Sequence, residues 1–264
     1  MTTRVQLDRS GPVATLWLDR ADKRNALDRA AMTELAAALD DVGADRAVRV
    51  VVLRGRGPAF SSGIDHTLLA DVMAATTKSP FLHLHHQLQE VGNRVARLHQ
   101  PVIAALHGTC IGMALEIALA ADIRIATTDC VLGLPEIAFG LVPDVGGTTR
   151  LVRAVGEPRA RELILTGRLV RADTAARYGL VHHVVADAAA LDALVEARAS
   201  QMAAHSGVAL GLAKTLCQAA GDADTATSYR LEGVVQQALL GQADLMQRFA
   251  TAIAFIKSQV ASAE

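Results

Sequence analysis

The sequence has 264 residues, of which 51% are hydrophobic and 20% charged, and its formal net charge is −1. This composition excludes a disordered chain, which would be rich in charge and poor in apolar residues. The 26 basic residues are matched by 27 acidic ones, so no positive surplus is left to neutralise phosphates and nucleic acid is not expected as a partner. The length allows one large domain or two small ones.

Cysteine usage and apolar runs point to a cytoplasmic protein. Cys110, Cys130 and Cys217 lie far apart and form no C-x-x-C pair, which predicts reduced thiols. No apolar run follows the first basic residue, so no signal peptide is expected at this end. The longest apolar stretch, 101–121, contains small residues and Glu116, which suits a protein core better than a lipid span. We therefore expect no contact with a membrane.

Strand and helix patterns alternate over the first part of the chain. A strand is predicted over 13–18, a helix over 28–42 from apolar residues at helical spacing, and a second strand over 48–53. The second strand is nearly continuous in β-branched residues, which predicts burial on both faces. Strand, helix and strand in this order predict a right-handed crossover.

The pattern becomes helical towards the C-terminus. A long helical region is expected over 71–99, interrupted at Ser79-Pro80 because a residue before proline disfavours helix. Short apolar strands are expected at 102–106, 123–126 and 131–132. The last predicted helices span 188–204, 207–219, 224–240 and 244–260. The sequence therefore predicts an α/β core over 1–185 and a C-terminal helical region over 186–264.

Three segments carry candidate chemistry, and the first of them is 59–65, directly after the second strand. It is rich in serine and glycine. Small residues in a turn between a strand and a helix let backbone N–H groups face a ligand. The alternative is an ordinary turn in which Ser61 or Ser62 caps a helix.

The second segment, 107–122, combines a glycine-containing turn with a helix that begins near Gly112. The N–H of Met113 would then lie at a helix N-terminus, where negative charge is stabilised. Glu116 lies one turn further along and has apolar neighbours, so partial burial is expected to raise its pKa. The alternative is a solvent-facing glutamate on an amphipathic helix.

The third segment, 132–150, is an apolar loop punctuated by glycine and proline, with Glu136 and Asp144 as its only acids. Two alternatives to a chemical role are open. Glu136 would make a structural hydrogen bond, and Asp144 would cap a helix that starts near Gly146.

A histidine cluster, His83, His85 and His86, falls within the helical region over 71–99. Only positions 83 and 86 share a helix face, and no H-E-x-x-H pattern follows. These histidines are therefore interpreted as partly exposed helix residues, and no metal site is expected.

Taken together, the segments resemble the crotonase, or enoyl-CoA hydratase/isomerase, superfamily over nearly the whole chain. The matching stretches are 18–27, 59–65, 107–123 and 135–155. Glu136 follows Glu116 by twenty residues, as the two hydratase glutamates of that family do. The resemblance implies a spiral core of repeated ββα turns, with a C-terminal helical region used for trimer assembly and as a cover of the active site.

The resemblance also implies roles for individual residues. The backbone N–H groups of Ile64 and Met113 would form the oxyanion hole of the family, and Glu116 and Glu136 would be its hydratase acid/base pair. Met113 replaces a glycine that is common in the family, which predicts a narrower hole. Asp144 stands where dienoyl-CoA isomerases carry a catalytic aspartate and typical hydratases a glycine.

Contacts with coenzyme A follow from the same resemblance. The residues it places along CoA are Arg24, Ala26, Ser62, Asp65, His66 and Phe255. His66 departs from the usual apolar residue, and Thr67 stands where a lysine is often found. Phe255 matches an aromatic that in the family reaches CoA, often from a neighbouring subunit.

The expected function is hydration of a 2-enoyl-CoA to a 3-hydroxyacyl-CoA through a thioester enolate, by a homotrimer or a dimer of trimers. No metal or redox cofactor is expected, since CoA is part of the substrate. One alternative is an enoyl-CoA or dienoyl-CoA isomerase that uses Asp144, although the first acid here is Glu116 and characterised dienoyl isomerases have aspartate there. The other is a catalytically silent acyl-CoA-binding protein, against which the presence of both glutamates counts.

Overall fold

The computed structural model describes residues 3–78, 81–242 and 245–263. The chain divides into two compact units, Met1–Gly207 and Val208–Glu264. The strands are β1 (Val5–Ser10), β2 (Val13–Leu18), β3 (Val50–Gly55), β4 (Val102–Leu106), β5 (Thr109–Ile111), β6 (Ile123–Thr127), β7 (Val131–Gly133), β8 (Val170–Arg171) and β9 (His183–Val185). The helices before residue 207 are α1 (Arg29–Ala44), α2 (His66–Lys78), α3 (Phe81–Arg97), α4 (Met113–Ala118), α5 (Gly147–Val155), α6 (Glu157–Thr166), α7 (Ala172–Tyr178) and α8 (Ala188–Ala203).

A six-stranded sheet, in the order β1-β2-β3-β4-β6-β9, forms the centre of the first unit. β1 and β2 pair antiparallel, and every further pairing in this sheet is parallel. β2 and β3 are direct parallel neighbours joined through α1, so the predicted strand–helix–strand arrangement is confirmed, and its right-handedness stays a prediction. The parallel strands bring the loops after β3 and β4 to the same edge of the sheet.

Both faces of the sheet are buried, as the composition of β3 predicts. Val51 and Leu53 belong to the larger core, which α1, α3 and α4 also line. Val50 and Val52 point the other way, because successive side chains on a strand alternate, and they pack with α8. The compact unit therefore extends past the predicted end of the core at residue 185 and includes α8.

A second layer of short strands, β5-β7-β8, lies beside the main sheet. Two main strands are followed by a short strand and then a helix, in β4-β5-α4 and in β6-β7-α5, where a 3₁₀ turn at Glu136–Phe139 precedes the helix. An isolated bridge between Ser61 and Cys110 adds the preceding turn, β3-Ser61-α2. These repeated ββα turns confirm the predicted spiral core.

Differences from the predicted elements lie where the sequence pattern is weak. α2 begins at His66 rather than at residue 71, because the Asp65 carboxylate accepts the N–H of Thr67 and opens the helix. The interruption predicted at Ser79-Pro80 lies outside the described residues. β1 was not predicted, and its mostly exposed, polar sequence explains why.

The second unit contains α9 (Gly207–Ala220) from its second residue on, α10 (Thr225–Leu240) and α11 (Leu245–Ala263). These helices and α8 match the four predicted near the C-terminus. α10 and α11 expose large apolar side chains: Val234, Leu240, Met246, Phe249, Ile253, Ile256 and Val260. Within the described ranges, no helix combines the length and apolarity that a membrane crossing requires.

Candidate active site

The candidate site lies at the edge of the sheet where β3 and β4 end. The loop after β3 runs through Ser61 and Gly63 to α2, and the loop after β4 runs through β5 and Gly112 to α4. The two loops are tied together, since the Ser61 N–H donates to the Thr109 carbonyl over 3.0 Å. Two successive ββα turns of the spiral are thus joined by a backbone hydrogen bond at this edge of the sheet.

Two glycines bring the backbones of these loops into close contact. A Cβ at Gly63 would lie 2.5 Å from the Ile111 carbonyl oxygen and 3.5 Å from the Met113 nitrogen. Gly63 and Gly112 have φ of +88° and +58°, which residues with side chains rarely adopt. The backbone therefore needs glycine at both positions to place residues 64 and 113 side by side.

The N–H groups of Ile64 and Met113 have no hydrogen-bond acceptor among the residues that the structure describes. Met113 is the first residue of α4, where a helix leaves its N–H groups without intrahelical partners. Ile64 forms a bridge with Leu27, but the donors in that bridge are the Leu27 and Asp65 N–H groups. Two neighbouring donors of this kind can bind an oxyanion.

Asn25 holds the first loop in place, a role that the sequence analysis did not assign to it. Its side-chain amide donates to the carbonyl oxygens of Arg56, Ala59 and Phe60, and its own carbonyl accepts the Ser61 hydroxyl. Asn25 is buried and has φ of +53°. Asparagine tolerates this left-handed conformation better than most residues, which was the available signal.

Glu116 lies on α4 with only 2% of its surface exposed, so the alternative of a solvent-facing glutamate is wrong. Its Oε2 accepts the Gly147 N–H at 2.6 Å. Burial raises the pKa of Glu116 to about 8, helped by the negative charges of Glu136 and Asp144 and opposed by the N–H groups of Gly147 and Val145. The predicted upward shift is confirmed, and the carboxyl group is suited to proton transfer near neutral pH.

Glu136 is the first residue of the 3₁₀ turn Glu136–Phe139. A Cβ at Gly112 would lie 3.1 Å from its Oε1, so the carboxylate contacts the turn that carries the Met113 N–H. Its Oε2 is buried and has no partner among the described residues, so the structure offers no structural hydrogen bond to that oxygen. Burial raises the pKa of Glu136 as well, with a further contribution from Asp144.

Asp144 does not cap α5, so the capping alternative is wrong. The N-cap of α5 is Gly146, in the left-handed conformation, and no side chain caps it. Instead the Asp144 carboxylate lies 3.2 Å from His85 Nε2 on α3, and its charge raises the pKa of both glutamates. The structure thus places Asp144 within electrostatic range of Glu116 and Glu136.

Arg150 stabilises the site through hydrogen bonds to three residues around it. The sequence analysis did not assign it a role. Its guanidinium donates to the carbonyl of Val145 at 3.0 Å, to that of Glu116 at 3.4 Å and to Asn93 Oδ1 at 2.9 Å. A Cβ at Gly146 would lie 2.3 Å from this guanidinium, so glycine makes room for it. Arg150 therefore fixes α4 relative to the loop before α5.

The two segments expected to line CoA are adjacent in the structure. The Ser62 N–H donates to the Arg24 carbonyl at 2.9 Å, and Arg24 and Ser62 are both exposed. His66 is exposed at the start of α2, and Ala26 is partly buried. Ser62 and His66 flank Ile64 in the sequence, so the second of these segments also carries the Ile64 N–H.

Asp65 differs from the other expected CoA contacts because its side chain is buried. Its carboxylate is bound by Arg20 at 2.5 Å and by the N–H and hydroxyl of Thr67. Burial disfavours its charge, yet these hydrogen bonds hold the pKa of Asp65 well below its ordinary value. The side chain anchors the loop to α2.

Phe255 lies on α11, in the second unit, and is exposed. Its predicted contact with CoA stays a prediction. Among the described residues, no group of three or more His, Cys, Asp or Glu is arranged to hold a metal ion.

Comparison with known proteins decides the family. The model of the enoyl-CoA hydratase/isomerase family matches residues 8–256. The chain belongs to this family. As a member of the enoyl-CoA hydratase/isomerase family, it resembles a Mycobacterium bovis protein named "Probable enoyl-CoA hydratase echA12", with 39% identity over 234 residues, 87% of this chain and 80% of that protein.

Solved structures of family members share the fold of this one throughout. The crystal structure of enoyl-CoA hydratase from Bacillus anthracis has a TM-score of 0.87 and 31% identity, and the match covers 97% of this chain and 96% of that one. A Thermobifida fusca structure of the enoyl-CoA hydratase type, solved in complex with CoA, has a TM-score of 0.81 and 38% identity, covering 93% and 95%. The fold is therefore that of crotonase-type enoyl-CoA hydratases.

Proposed function

We propose that this member of the family hydrates 2-enoyl-CoA thioesters to 3-hydroxyacyl-CoA. One observation carries the proposal. Two N–H groups without an acceptor among the described residues, at Ile64 and Met113, occur in the same part of the fold as two carboxyl groups whose pKa values burial raises, at Glu116 and Glu136. Oxyanion stabilisation and proton transfer are the two requirements of hydration, and both are available at this one place.

The two N–H groups bind the thioester oxygen of the substrate. When water adds to C3 of the enoyl group, negative charge moves onto this oxygen, and the enolate is stabilised by donors that are already oriented. Removing one such donor typically costs about 3 kcal/mol, or a factor of 100–1,000 in rate. The side chains at positions 64 and 113 matter little here, because the backbone supplies the donors.

The two glutamates manage the water and the protons. One carboxylate takes a proton from the water molecule as the water oxygen bonds to C3. A carboxylic acid donates a proton to C2, so that water is added across the double bond. Burial raises the pKa of Glu116 to about 8, so this carboxyl can hold a proton near neutral pH, and burial raises the pKa of Glu136 as well. This scheme uses no metal or redox cofactor, since the backbone stabilises the charge and CoA arrives with the substrate.

CoA is proposed to bind along Arg24, Ala26, Ser62 and His66, with Asp65 holding that loop from inside. The adjacency of Arg24 and Ser62 and their exposure support this surface. The Thermobifida fusca relative, solved with CoA, supports the ligand class. Phe255 is proposed to add an aromatic contact from the C-terminal helices.

Isomerisation of enoyl-CoA or dienoyl-CoA esters is a second candidate, and one observation favours it. Asp144 lies close enough to Glu116 and Glu136 for its charge to affect the pKa of each. A third acid there could move a proton between more distant carbons of the acyl chain. Hydration ranks first because two carboxyl groups suffice for it.

The protein is proposed to assemble as a homotrimer or a dimer of trimers in the cytoplasm. The exposed apolar side chains of α10 and α11, including Leu240, Met246, Phe249 and Ile253, favour an assembly that covers them. Cys110, Cys130 and Cys217 are free thiols, which agrees with a reducing compartment.

The decisive experiment is incubation with crotonyl-CoA and with longer 2-enoyl-, 3-enoyl- and 3,5-dienoyl-CoA esters. Loss of the enoyl absorbance with formation of 3-hydroxyacyl-CoA supports hydration. Double-bond migration without added water would instead support the isomerase. Binding of acyl-CoA with no turnover of any ester would support the silent protein.

A further inference from the structure

Two side chains of α3 bind Asp144 by hydrogen bonds. Neither of them belongs to the acid pair or to the oxyanion hole. His85 Nε2 lies 2.9 Å from the Asp144 carbonyl oxygen and 3.2 Å from its carboxylate Oδ2. Gln89 Nε2, one helical turn further along α3, donates to the same carbonyl at 2.8 Å. The sequence analysis interpreted His85 only as a partly exposed helix residue.

Two oxygen atoms of Asp144 face Nε2 of His85. A carbonyl oxygen and a carboxylate oxygen both face Nε2, and neither the carbonyl nor an ionised carboxylate can donate a hydrogen. Nε2 must therefore carry the hydrogen, which it shares between the main chain and the side chain of Asp144. This one contact fixes both the path of the loop and the direction of the carboxylate.

This contact matters because, without it, the Asp144 side chain would be able to rotate away from the two glutamates. Its side chain is 45% exposed, and the segment before α5 contains four large exposed apolar residues, Ile137, Phe139, Leu141 and Val142. An exposed aspartate on such a loop would rotate into water, where its charge is best solvated. Instead it stays near Glu116 and Glu136, and His85 itself is only 19% exposed.

We propose that His85, assisted by Gln89, is a positioning residue that holds the Asp144 carboxylate at the acid pair and thereby sets how far this site moves protons along the acyl chain. Its kinetic consequence rests on the isomerase candidate of the proposed function, in which Asp144 transfers protons, whereas the attachment itself does not. The inference concerns specificity between water addition and double-bond migration, which the two glutamates and the oxyanion hole leave undetermined.

The test has a structural arm that requires no turnover. Hydrogen exchange of the 140–147 backbone, followed by mass spectrometry, is expected to become about three- to tenfold faster in His85→Ala, the effect of losing one hydrogen bond. His85→Gln, whose amide can still donate, should restore the slow exchange. His86→Ala is the matched control, because His86 is 71% exposed and its nearest acid is Glu90 at 4.0 Å.

The kinetic arm is a double-mutant cycle of His85→Ala and Asp144→Asn, with kcat and KM measured for 2-enoyl- and 3-enoyl-CoA. Each single variant is expected to change the ratio of isomerisation to hydration in kcat, and His85→Ala should add nothing in the Asp144→Asn background. Independent, additive effects would overturn the proposal, as would unchanged exchange in His85→Ala or a wild type that hydrates 2-enoyl-CoA but moves no double bond. If the wild type turns over no enoyl ester, the proposed function fails, and the exchange arm still decides whether His85 holds Asp144.

Discussion

The carboxylate of Glu116 lies directly against the backbone of Gly147. Oε2 accepts the Gly147 N–H at 2.6 Å, and a Cβ at position 147 would lie 2.6 Å from both that oxygen and Cγ. Gly147 is the first residue of α5, so its N–H is one that the helix leaves unpaired. Glu116 thus closes the start of α5, and any side chain at 147 must displace it.

Gly147→Ala is therefore expected to displace the Glu116 carboxylate and to lower kcat for hydration about 100-fold. Misplacing a reacting group by about 1 Å can reduce the rate by that factor. Steady-state kinetics with crotonyl-CoA measure the effect. Gly233→Ala is the control, since a Cβ there meets nothing within 4 Å. It should leave kcat unchanged and raise stability by up to about 1 kcal/mol, because alanine is the better helix former. Equal kcat values for the two variants would contradict the role of Glu116.

Glu136→Gln is expected to lower kcat for hydration at least about 100-fold while acyl-CoA affinity stays nearly the same, since the amide keeps the size and removes proton transfer. Turnover and equilibrium binding of a saturated acyl-CoA are the two measurements. Glu157→Gln on α6, far more exposed, serves as the control. A wild-type turnover number in Glu136→Gln would remove this residue from the mechanism.

Stability is expected to fall as pH rises from about 4.5 to about 8. Burial raises the pKa of Glu116 from 4.5 to about 8, so in this window the folded chain keeps a proton that the unfolded chain has lost. The free energy of unfolding therefore decreases with pH and levels off above 8. Glu116→Gln removes this dependence on pH. The free energy of unfolding of the variant, relative to that of the wild type, is therefore higher at pH 8 than at pH 4.5, by a difference on the order of a few kcal/mol. Urea unfolding at pH 4.5, 6 and 8 checks it, and parallel wild-type and variant curves would contradict the buried, protonated acid.

Asp144→Asn separates the two candidate reactions. The asparagine Oδ1 can still accept from His85 Nε2, so the fold should be retained, with stability changed by less than about 1 kcal/mol. If Asp144 transfers protons, double-bond migration falls by orders of magnitude while water addition to a 2-enoyl-CoA remains measurable. Product analysis with 2-enoyl-, 3-enoyl- and 3,5-dienoyl-CoA measures both. Selective loss of isomerisation, on a wild type that isomerises faster than it hydrates, would reverse the ranking proposed above.

The mass in solution tests the proposed assembly. Light scattering at micromolar concentration is expected to give three or six times the chain mass of 27.7 kDa. Charged substitutions at Met246 and Phe249, both exposed on α11, should lower that mass if this surface is the one covered. A wild-type protein of single-chain mass would refute the assembly.

Much of the fold could be predicted from local pattern. The strands at Val13–Leu18 and Val102–Leu106 begin and end where the apolar runs do, and β3 is shifted by two residues. The burial of Glu116 could be predicted because its immediate neighbours are apolar. These are properties that a short stretch of sequence carries by itself.

Contacts between distant residues could not be predicted in this way. His85 meets Asp144 across 59 positions, Asn25 meets Ala59 across 34, and Arg150 meets Glu116 across 34. The capping interpretation of Asp144 was wrong because α5 starts from a left-handed glycine, which leaves the aspartate to bind α3 instead. Only the three-dimensional arrangement of the spiral makes these pairs neighbours.

The bridge between Ser61 and Cys110 has a consequence for the evolution of such a site. The two N–H groups proposed for the enolate follow Ser61 and Cys110 by three residues each. The backbone pairing of Ser61 and Cys110, with the spacing of about 4.8 Å that paired strands have, brings the two loops together without the help of a side chain. Mutation can exchange the acids around the acyl group, and with them the reaction, while the backbone keeps the same grip on the thioester oxygen.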